Sequence, residues 1–109
     1  MKLSELAKKT GLKSINEFKD KDFESVYISD MVSDIITVAK ANALLITLQT
    51  HKSLIATANL VDVAAIVFAK GKTPAPDVIQ LADKAGIALF VSELDTWTMA
   101  SKLFALGIR

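Results

Sequence analysis

The chain has 109 residues, the size of a single domain, and 51% of them are hydrophobic although only 6% are aromatic. This apolar content excludes an intrinsically disordered chain, and the lack of cysteine excludes disulfide scaffolds, thiolate metal sites and cysteine nucleophiles. The net charge is only +1, from 13 basic and 12 acidic residues, so the composition offers no general electrostatic attraction to nucleic acid or to an anionic membrane.

The uncharged segments are too short to cross a membrane. Residues 41–51, 53–61 and 63–69 each fall well below the roughly 18 to 20 apolar residues of a spanning helix. The first residues, MKLSELAKKTG, carry a charge every few positions, which is not typical of a secretory signal. We therefore expect a cytoplasmic protein that contacts neither a membrane nor nucleic acid.

Apolar spacing predicts helices and strands that alternate along the chain. Gly11 and Gly86 stand where helices are expected to end, and Pro76 suits a first helical turn. In chain order the predicted elements are a helix over 4–10, a short strand over 12–15, a solvated loop over 16–23, a strand over 24–29, a helix over 30–41 capped by Asp30 or Ser33, a strand over 44–48, a helix over 53–61 capped by Ser53, a strand over 63–68, a loop over 70–76, a helix over 77–85, a strand over 87–91 and a helix over 96–106.

Three of the predicted strands are apolar throughout, with the sequences LLITL, VAAIVF and IALFV. A strand without polar alternation is typical of a sheet that is covered on both faces. Together with the alternation of strands and helices, this predicts an α/β domain with a mainly parallel sheet of about 4–5 strands. The order of the strands does not follow from the sequence.

Six segments form a pattern that extends from the second strand to the last helix. In chain order they are VYISDMVSD, LLITLQTH, LVDVAAIVF, GKTP, LADKAGIALFVSE and TWTMASKLFALG. This pattern resembles the DRTGG domain, which is similar to the N-terminal domains of HPr kinase/phosphorylase and of certain murein ligases. The resemblance covers nearly the whole chain and implies a single DRTGG-like domain over residues 1–109.

Two features depart from that family. The pentapeptide that gives the domain its name is missing from KDFESVY, the corresponding region of this sequence. We also expect no kinase module like that of HPr kinase/phosphorylase, because the chain ends at Arg109. The resemblance implies a small stand-alone module of a kind that tends to dimerise, acts in regulation and has no established reaction. It implies neither a cofactor nor a metal.

The segment Gly71-Lys72-Thr73 looks like the end of a phosphate-binding P-loop. Such a loop needs a glycine five residues before Gly71, so that backbone N–H groups can surround the phosphates. That position is Ile66, inside an apolar strand, and two prolines delay the helix whose N-terminus would hold the anion. We therefore interpret the segment as a surface loop and expect no catalytic activity.

His51 is the single histidine, and it lies between the LLITL strand and the next helix. In open α/β sheets ligands bind at the carboxyl ends of strands, and Lys52 with the N–H groups of Ser53 and Leu54 suits an anion. Alternatively, His51 is a loop or helix-capping residue, because the sequence shows no carboxylate at metal-ligand spacing and no obvious catalytic partner.

Polar residues also follow the other strands, as Ser29-Asp30 and Ser92-Glu93 do. Parallel strands would bring these residues to one edge of the sheet, although strands also end in polar residues simply because the chain reaches water there. The candidate ligand-binding residues are Ser29, Asp30, Thr50, His51, Lys52, Ser53 and Ser92.

The helices over 53–61 and 96–106 carry more apolar residues than one buried stripe requires. We expect Trp97, Ala100, Leu103 and Phe104 to share one face of the second of these helices. An exposed apolar remainder usually marks an interface. The predicted interface residues are Leu54, Ala58, Val61, Trp97 and Phe104.

Two functional hypotheses follow. The first is a regulatory or interaction module that forms a homodimer, has no catalytic activity of its own and contacts a protein partner. The alternative is a ligand-sensing domain that binds an anionic metabolite or a nucleotide at the carboxyl edge of the sheet. The two are compatible, because a sensor can also be a dimer.

Overall fold

Five strands and five helices build the protein, a computed structural model of which describes residues 1–108. The elements are α1 (Leu3–Thr10), β1 (Lys13–Ser14), β2 (Ser25–Ile28), α2 (Val32–Val38), β3 (Ala43–Thr47), α3 (Lys52–Val61), β4 (Ala65–Phe68), α4 (Pro76–Ala85), β5 (Ala88–Val91) and α5 (Thr96–Ala105). Within these described residues, every helix is too short or too polar to traverse a bilayer.

The strands form one sheet in the order β1-β5-β4-β3-β2. The four strands β2 to β5 are parallel, and only the two-residue β1 runs antiparallel, against β5. All residues of β3, β4 and β5 are buried, as expected for continuous apolar strands covered on both faces. The predicted α/β class with a mainly parallel sheet is confirmed.

Each face of the sheet has its own hydrophobic core. Leu6 of α1, Met99 and Leu103 of α5 pack on one face with Phe90 of β5. The buried residues of α2, α3 and α4, Ile35 among them, pack on the other face. The sheet is therefore the central layer of three, and the carboxyl ends of its parallel strands meet at one edge.

Left-handed residues end three helices. Gly11 after α1 has φ 72°, Asp62 after α3 has φ 60° and Gly86 after α4 has φ 73°. Glycine adopts this backbone region without the steric cost of a Cβ atom. The helix ends predicted at Gly11 and Gly86 are confirmed, as is Pro76 in the first turn of α4.

Two predicted helix caps are wrong. Helix α2 begins after Met31 without a side-chain cap, because the Asp30 carboxylate is bonded to β3 instead and Ser33 already lies inside the helix. Helix α3 begins one residue before Ser53, and the acceptor that caps it is Nδ1 of His51. The imidazole takes the place of the expected hydroxyl because it receives the Ser53 N–H at 3.1 Å.

Two of the three predicted interface residues on α3 are not accessible. Leu54 and Ala58 are completely buried, and Val61 packs against the same core, because α3 lies on the sheet with α2 and α4 as its neighbours. A second copy therefore cannot reach Leu54 or Ala58 in this fold. The apolar excess of this helix belongs to the core.

Helix α5 differs from α3 in keeping apolar side chains at the surface. Met99 and Leu103 turn into the core, so Leu103 does not share one face with Trp97 and Phe104 as predicted. Trp97 is 80% exposed and Phe104 is 60% exposed. These two predicted interface residues are accessible to a partner.

Candidate functional site

The carboxyl ends of the parallel strands carry most of the predicted ligand residues. At the end of β2, Asp30 Oδ1 accepts hydrogen bonds from Thr47 Oγ1 at 3.0 Å and from the Leu48 N–H at 2.6 Å. Ser29 Oγ accepts the Met31 N–H at 3.2 Å. Asp30 therefore holds the end of β2 against β3 through one of its two carboxylate oxygens, and the Ser29 hydroxyl shapes the turn into α2.

The loop between β3 and α3 is ordered by its own side chains. Gln49 Oε1 accepts the His51 N–H at 3.0 Å, and His51 Nδ1 accepts the Ser53 N–H at 3.1 Å. Ser53 Oγ lies 3.0 Å from the same Nδ1 atom. A neutral imidazole that accepts at Nδ1 carries its proton on Nε2. The exposed His51 ring therefore offers an N–H donor on its outer side.

An open pocket of about 430 Å³ lies between the beginnings of α3 and α4. Besides His51, its ionisable side chains among the described residues are those of Lys52 and Asp77. The helix dipoles place partial positive charge at both helix starts, which favours an anion, whereas the Asp77 carboxylate opposes one and favours a group that donates hydrogen bonds. The residues that line the pocket are Gln49, Thr50, His51, Lys52, Ala75, Asp77 and Val78.

Three of the predicted residues, Thr50, His51 and Lys52, thus meet in one pocket. Sequence reasoning missed Asp77, although Pro76 already marked the beginning of α4. The signal that could have found it is the parallel sheet itself, which brings the starts of consecutive helices to the same edge. Ser53 acts through the cap of α3 and does not line the pocket.

Ser92 lies apart from this pocket. It follows β5, and β4 separates that strand from β3. The residue is buried, and its Oγ accepts the Leu94 N–H at 3.1 Å. Ser92 therefore shapes the turn into α5 and does not join Thr50, His51 and Lys52.

The Gly71-Lys72-Thr73 loop is anchored to the neighbouring turn. The N–H of Gly71 donates to the Ser92 carbonyl at 2.8 Å, and the N–H of Lys70 donates to the Leu94 carbonyl at 2.9 Å. Backbone donors engaged in this way do not point at a phosphate. The geometry agrees with a surface loop.

A second polar cluster lies beside β2. The Tyr27 hydroxyl donates to Asp34 Oδ2 at 2.6 Å. This hydrogen bond, together with one from Ser29, lowers the pKa of the Asp34 carboxyl below its ordinary value of 3.8, and the same bond raises the pKa of Tyr27. Asp34 therefore carries its negative charge at neutral pH. Across residues 1–108, no three His, Asp or Glu side chains are grouped to hold a metal ion.

Comparisons with known proteins identify the family. No curated protein sequence matches the chain. A solved structure with a similar fold contains the CBS and DRTGG domains of the regulatory region of a pyrophosphatase from Clostridium perfringens, complexed with the activator diadenosine tetraphosphate. The TM-score is 0.74 at 18% identity, and the match covers 93% of this chain but only 45% of that one. The family model of the DRTGG domain matches residues 5–106. The chain therefore belongs to the DRTGG domain family.

Proposed function

We propose that this DRTGG domain is a regulatory interaction module that forms a homodimer through α5 and has no catalytic activity of its own. The observation that carries the proposal is the exposed surface of α5, where Trp97 and Phe104 flank an open hollow of about 480 Å³ floored by Ala100 and Ser101. Exposed aromatic side chains around small residues are typical of interfaces.

The α5 surface suits a second copy of the same chain. Its four residues follow the spacing i, i+3, i+4 and i+7, which places them on one stripe of the helix. Read in either direction, the stripe is aromatic, small, small, aromatic. A twofold axis near Ala100 and Ser101 would set Trp97 of each copy beside Phe104 of the other, and a twofold interface requires such self-complementarity. Lys102 is the only charged residue of α5, and it lies off the stripe.

Sedimentation equilibrium at micromolar concentration tests this dimer. We expect a mass of twice 11.8 kDa for the chain and a monomer for Trp97→Glu, because a carboxylate placed against Phe104 of the other copy is buried without a partner. Leu60→Glu is the matched control, since Leu60 is 73% exposed on α3 and outside the stripe. A monomeric parent chain, or a Trp97→Glu protein that dimerises as well as the control, contradicts the proposal.

The pyrophosphatase from Clostridium perfringens supports the proposed regulatory role, because a domain of the same fold belongs to the regulatory region of that enzyme. The resemblance of the sequence to the N-terminal domain of HPr kinase/phosphorylase agrees with that role. We infer a cytoplasmic module that changes the activity of a partner protein.

A second candidate function is the sensing of an anionic ligand, favoured by the pocket between α3 and α4. Lys52 supplies a cation, His51 an Nε2–H donor and the start of α3 the partial positive charge of its helix dipole. The N–H groups of Ser53 and Leu54, which the sequence suggested for an anion, already donate to His51. The regulatory region with the same fold was solved with a nucleotide activator bound. A nucleotide or phosphorylated metabolite is therefore the ligand class that we propose for this pocket.

Thermal unfolding in the presence of AMP, ATP, diadenosine tetraphosphate and inorganic phosphate tests the pocket. A compound that binds only the folded chain raises Tm, and the rise grows with the logarithm of its concentration relative to Kd. We expect His51→Asn and Lys52→Ala to lose that increase, while Lys8→Ala on α1 retains it. The asparagine oxygen still caps α3, so the test separates loss of ligand from loss of fold. No increase with any compound, or an increase that both pocket variants retain, contradicts the assignment.

A further inference from the structure

The two edges of the sheet differ in how well they are protected. At one edge, β1 has only two residues and includes Lys13. At the other edge, β2 has four residues, Ser25–Ile28, with neither a charge nor a proline. Natural proteins protect edge strands with lysine, proline or very short strands, because an open edge pairs with other chains. Strand β2 lacks each of these features.

The backbone of β2 presents hydrogen-bonding groups to the outside. The N–H of Ser29 donates to the Ile46 carbonyl of β3 at 3.3 Å. Backbone groups alternate in direction along a strand, so Tyr27 also faces β3, whereas the N–H and C=O groups of Val26 and Ile28 point away from the sheet. Four groups at the spacing of a β-ladder are therefore directed outward.

Exposed apolar side chains lie in β2 and in the segment that follows it. Ile28 is 41% exposed and Met31 is 63% exposed, and Ile36 and Val38 of α2 are exposed as well. An added strand gains affinity from main-chain hydrogen bonds and specificity from side-chain contacts. Both kinds of contact are present at β2.

The charges around β2 identify the occupant. Glu24 precedes the strand, and Asp30 and Asp34 follow it. None of these three carboxylates forms an ion pair within the described part of the chain. A second copy, paired antiparallel about Tyr27 so that all four outward groups are used, would place Glu24 opposite Asp30 of that copy. Like charges at opposed positions destabilise such a pair, and a basic strand is favoured instead.

We propose that the β2 edge binds an extended, basic segment of a partner protein as a sixth strand of the sheet. The outward groups of Val26 and Ile28 pair with its main chain, and lysine or arginine side chains of the segment lie against Glu24, Asp30 and Asp34. This surface is separate from the α5 stripe and from the pocket, so it adds a partner site to the proposed dimer.

Fluorescence anisotropy with three labelled synthetic peptides tests the proposal. In the first peptide lysine alternates with valine, in the second glutamate replaces lysine, and the third is the lysine peptide with a central proline. We expect the first to bind at least about tenfold more tightly than either of the others. The proline peptide retains most of the charge but lacks the central donor, so it distinguishes strand pairing from simple attraction. Equal affinity for the lysine and proline peptides overturns the proposal.

Variants and hydrogen exchange locate the bound peptide. We expect the lysine peptide to slow amide exchange at Val26 and Ile28, and Ile28→Lys to weaken binding at least about tenfold because it adds a like charge at the edge. Leu60→Lys, the same kind of change on α3, should bind as the parent chain does. Unchanged binding by Ile28→Lys overturns the proposal. Conversion of a dimer into a monomer by Ile28→Lys also overturns it, because a second copy would then occupy the edge.

Discussion

The carboxylate of Asp30 accepts two hydrogen bonds from the end of β3, one from the buried Thr47 hydroxyl and one from the Leu48 N–H. We expect Asp30→Ala to lower the free energy of unfolding by about 1 to 2 kcal/mol, because both donors lose their acceptor. Asp30→Asn should cost less, since its amide oxygen can still accept one of the two bonds. Urea denaturation measures both changes, and a loss no larger in alanine than in asparagine contradicts this role.

Acidity should weaken the contact between Tyr27 and Asp34. The pKa of Asp34 is lowered in the folded state, so its stabilisation is fully present above the ordinary value of 3.8 and is lost as the pH falls through the folded pKa. We expect Tm to fall between about pH 6 and about pH 3, and to fall less in Tyr27→Phe, which lacks the main cause of the shift.

The comparison uses the difference in Tm between the two pH values within each protein. If Tyr27→Phe lowers Tm by the same amount at both pH values, that loss cancels in the difference. Asp20 and Asp95 also have lowered pKa values, because each accepts hydrogen bonds from a neighbouring residue, so an acid-sensitive remainder is expected in both proteins. Identical differences in the parent chain and the variant would contradict the assignment to Tyr27 and Asp34.

In the pocket between α3 and α4, the sequence predicted only those residues that directly follow a strand. His51 and Lys52 follow an apolar run, and that position alone indicated the carboxyl edge. The partner across the pocket, Asp77, belongs to another helix, and only the sheet topology brings the two together. Ser92 illustrates the limit, because it also follows an apolar strand but its hydroxyl is used in a turn.

Elements were predictable wherever burial is uniform along the segment. The runs LLITL, VAAIVF and IALFV correspond to β3, β4 and β5 because the centre of the sheet has no polar side. The faces of α3 and α5 could not be assigned in this way. Both helices are apolar around much of their circumference, and only the neighbours α2 and α4 explain why α3 is covered.

The left-handed backbone at Gly86, which ends α4, determines which residues this position tolerates. No atom lies within 4 Å of a Cβ built on Gly86, so a side chain there meets only backbone strain. We expect Gly86→Ala to cost about 1 kcal/mol and Gly86→Asn to cost less, because asparagine tolerates this backbone region better. Asp62 already occupies the equivalent position after α3.

Urea denaturation of the two Gly86 variants gives the order. The expected order of stability is glycine, then asparagine, then alanine, and Gly11, which also has open space around it, should show the same order. Equal losses for asparagine and alanine would contradict the assignment of the cost to the left-handed backbone, which asparagine tolerates better than alanine.

At the scale of the whole molecule, two hydrophobic cores lie on opposite faces of one sheet. Helices α2, α3 and α4 cover one face, and each follows its own parallel strand. The other face is covered by α5 and by the N-terminal segment that contains α1. The crossover helices follow from the parallel topology, whereas the cover on the other face depends on a segment outside the repeating strand–helix pattern.

This dependence predicts the effect of removing the first four residues, just before the family match begins at residue 5. Leu3 is completely buried in the core on the face that α1 and α5 cover, and its N–H donates to the Lys21 carbonyl at 3.0 Å. Ser4 bonds to Asp20 through both its N–H and its hydroxyl, and the Met1 carbonyl accepts the Phe23 N–H. These contacts attach α1 to the loop that precedes β2.

We expect Leu3→Ala alone to lower the free energy of unfolding by about 2 to 5 kcal/mol, because it leaves a cavity in a closed core. The chain shortened by four residues should lose more, since it also loses the hydrogen bonds that hold α1. Urea denaturation followed by circular dichroism measures both. If the shortened chain is as stable as the full one, the contacts of the first four residues contribute nothing to the free energy of unfolding. Packing of α5 would then be enough to stabilise this face of the sheet.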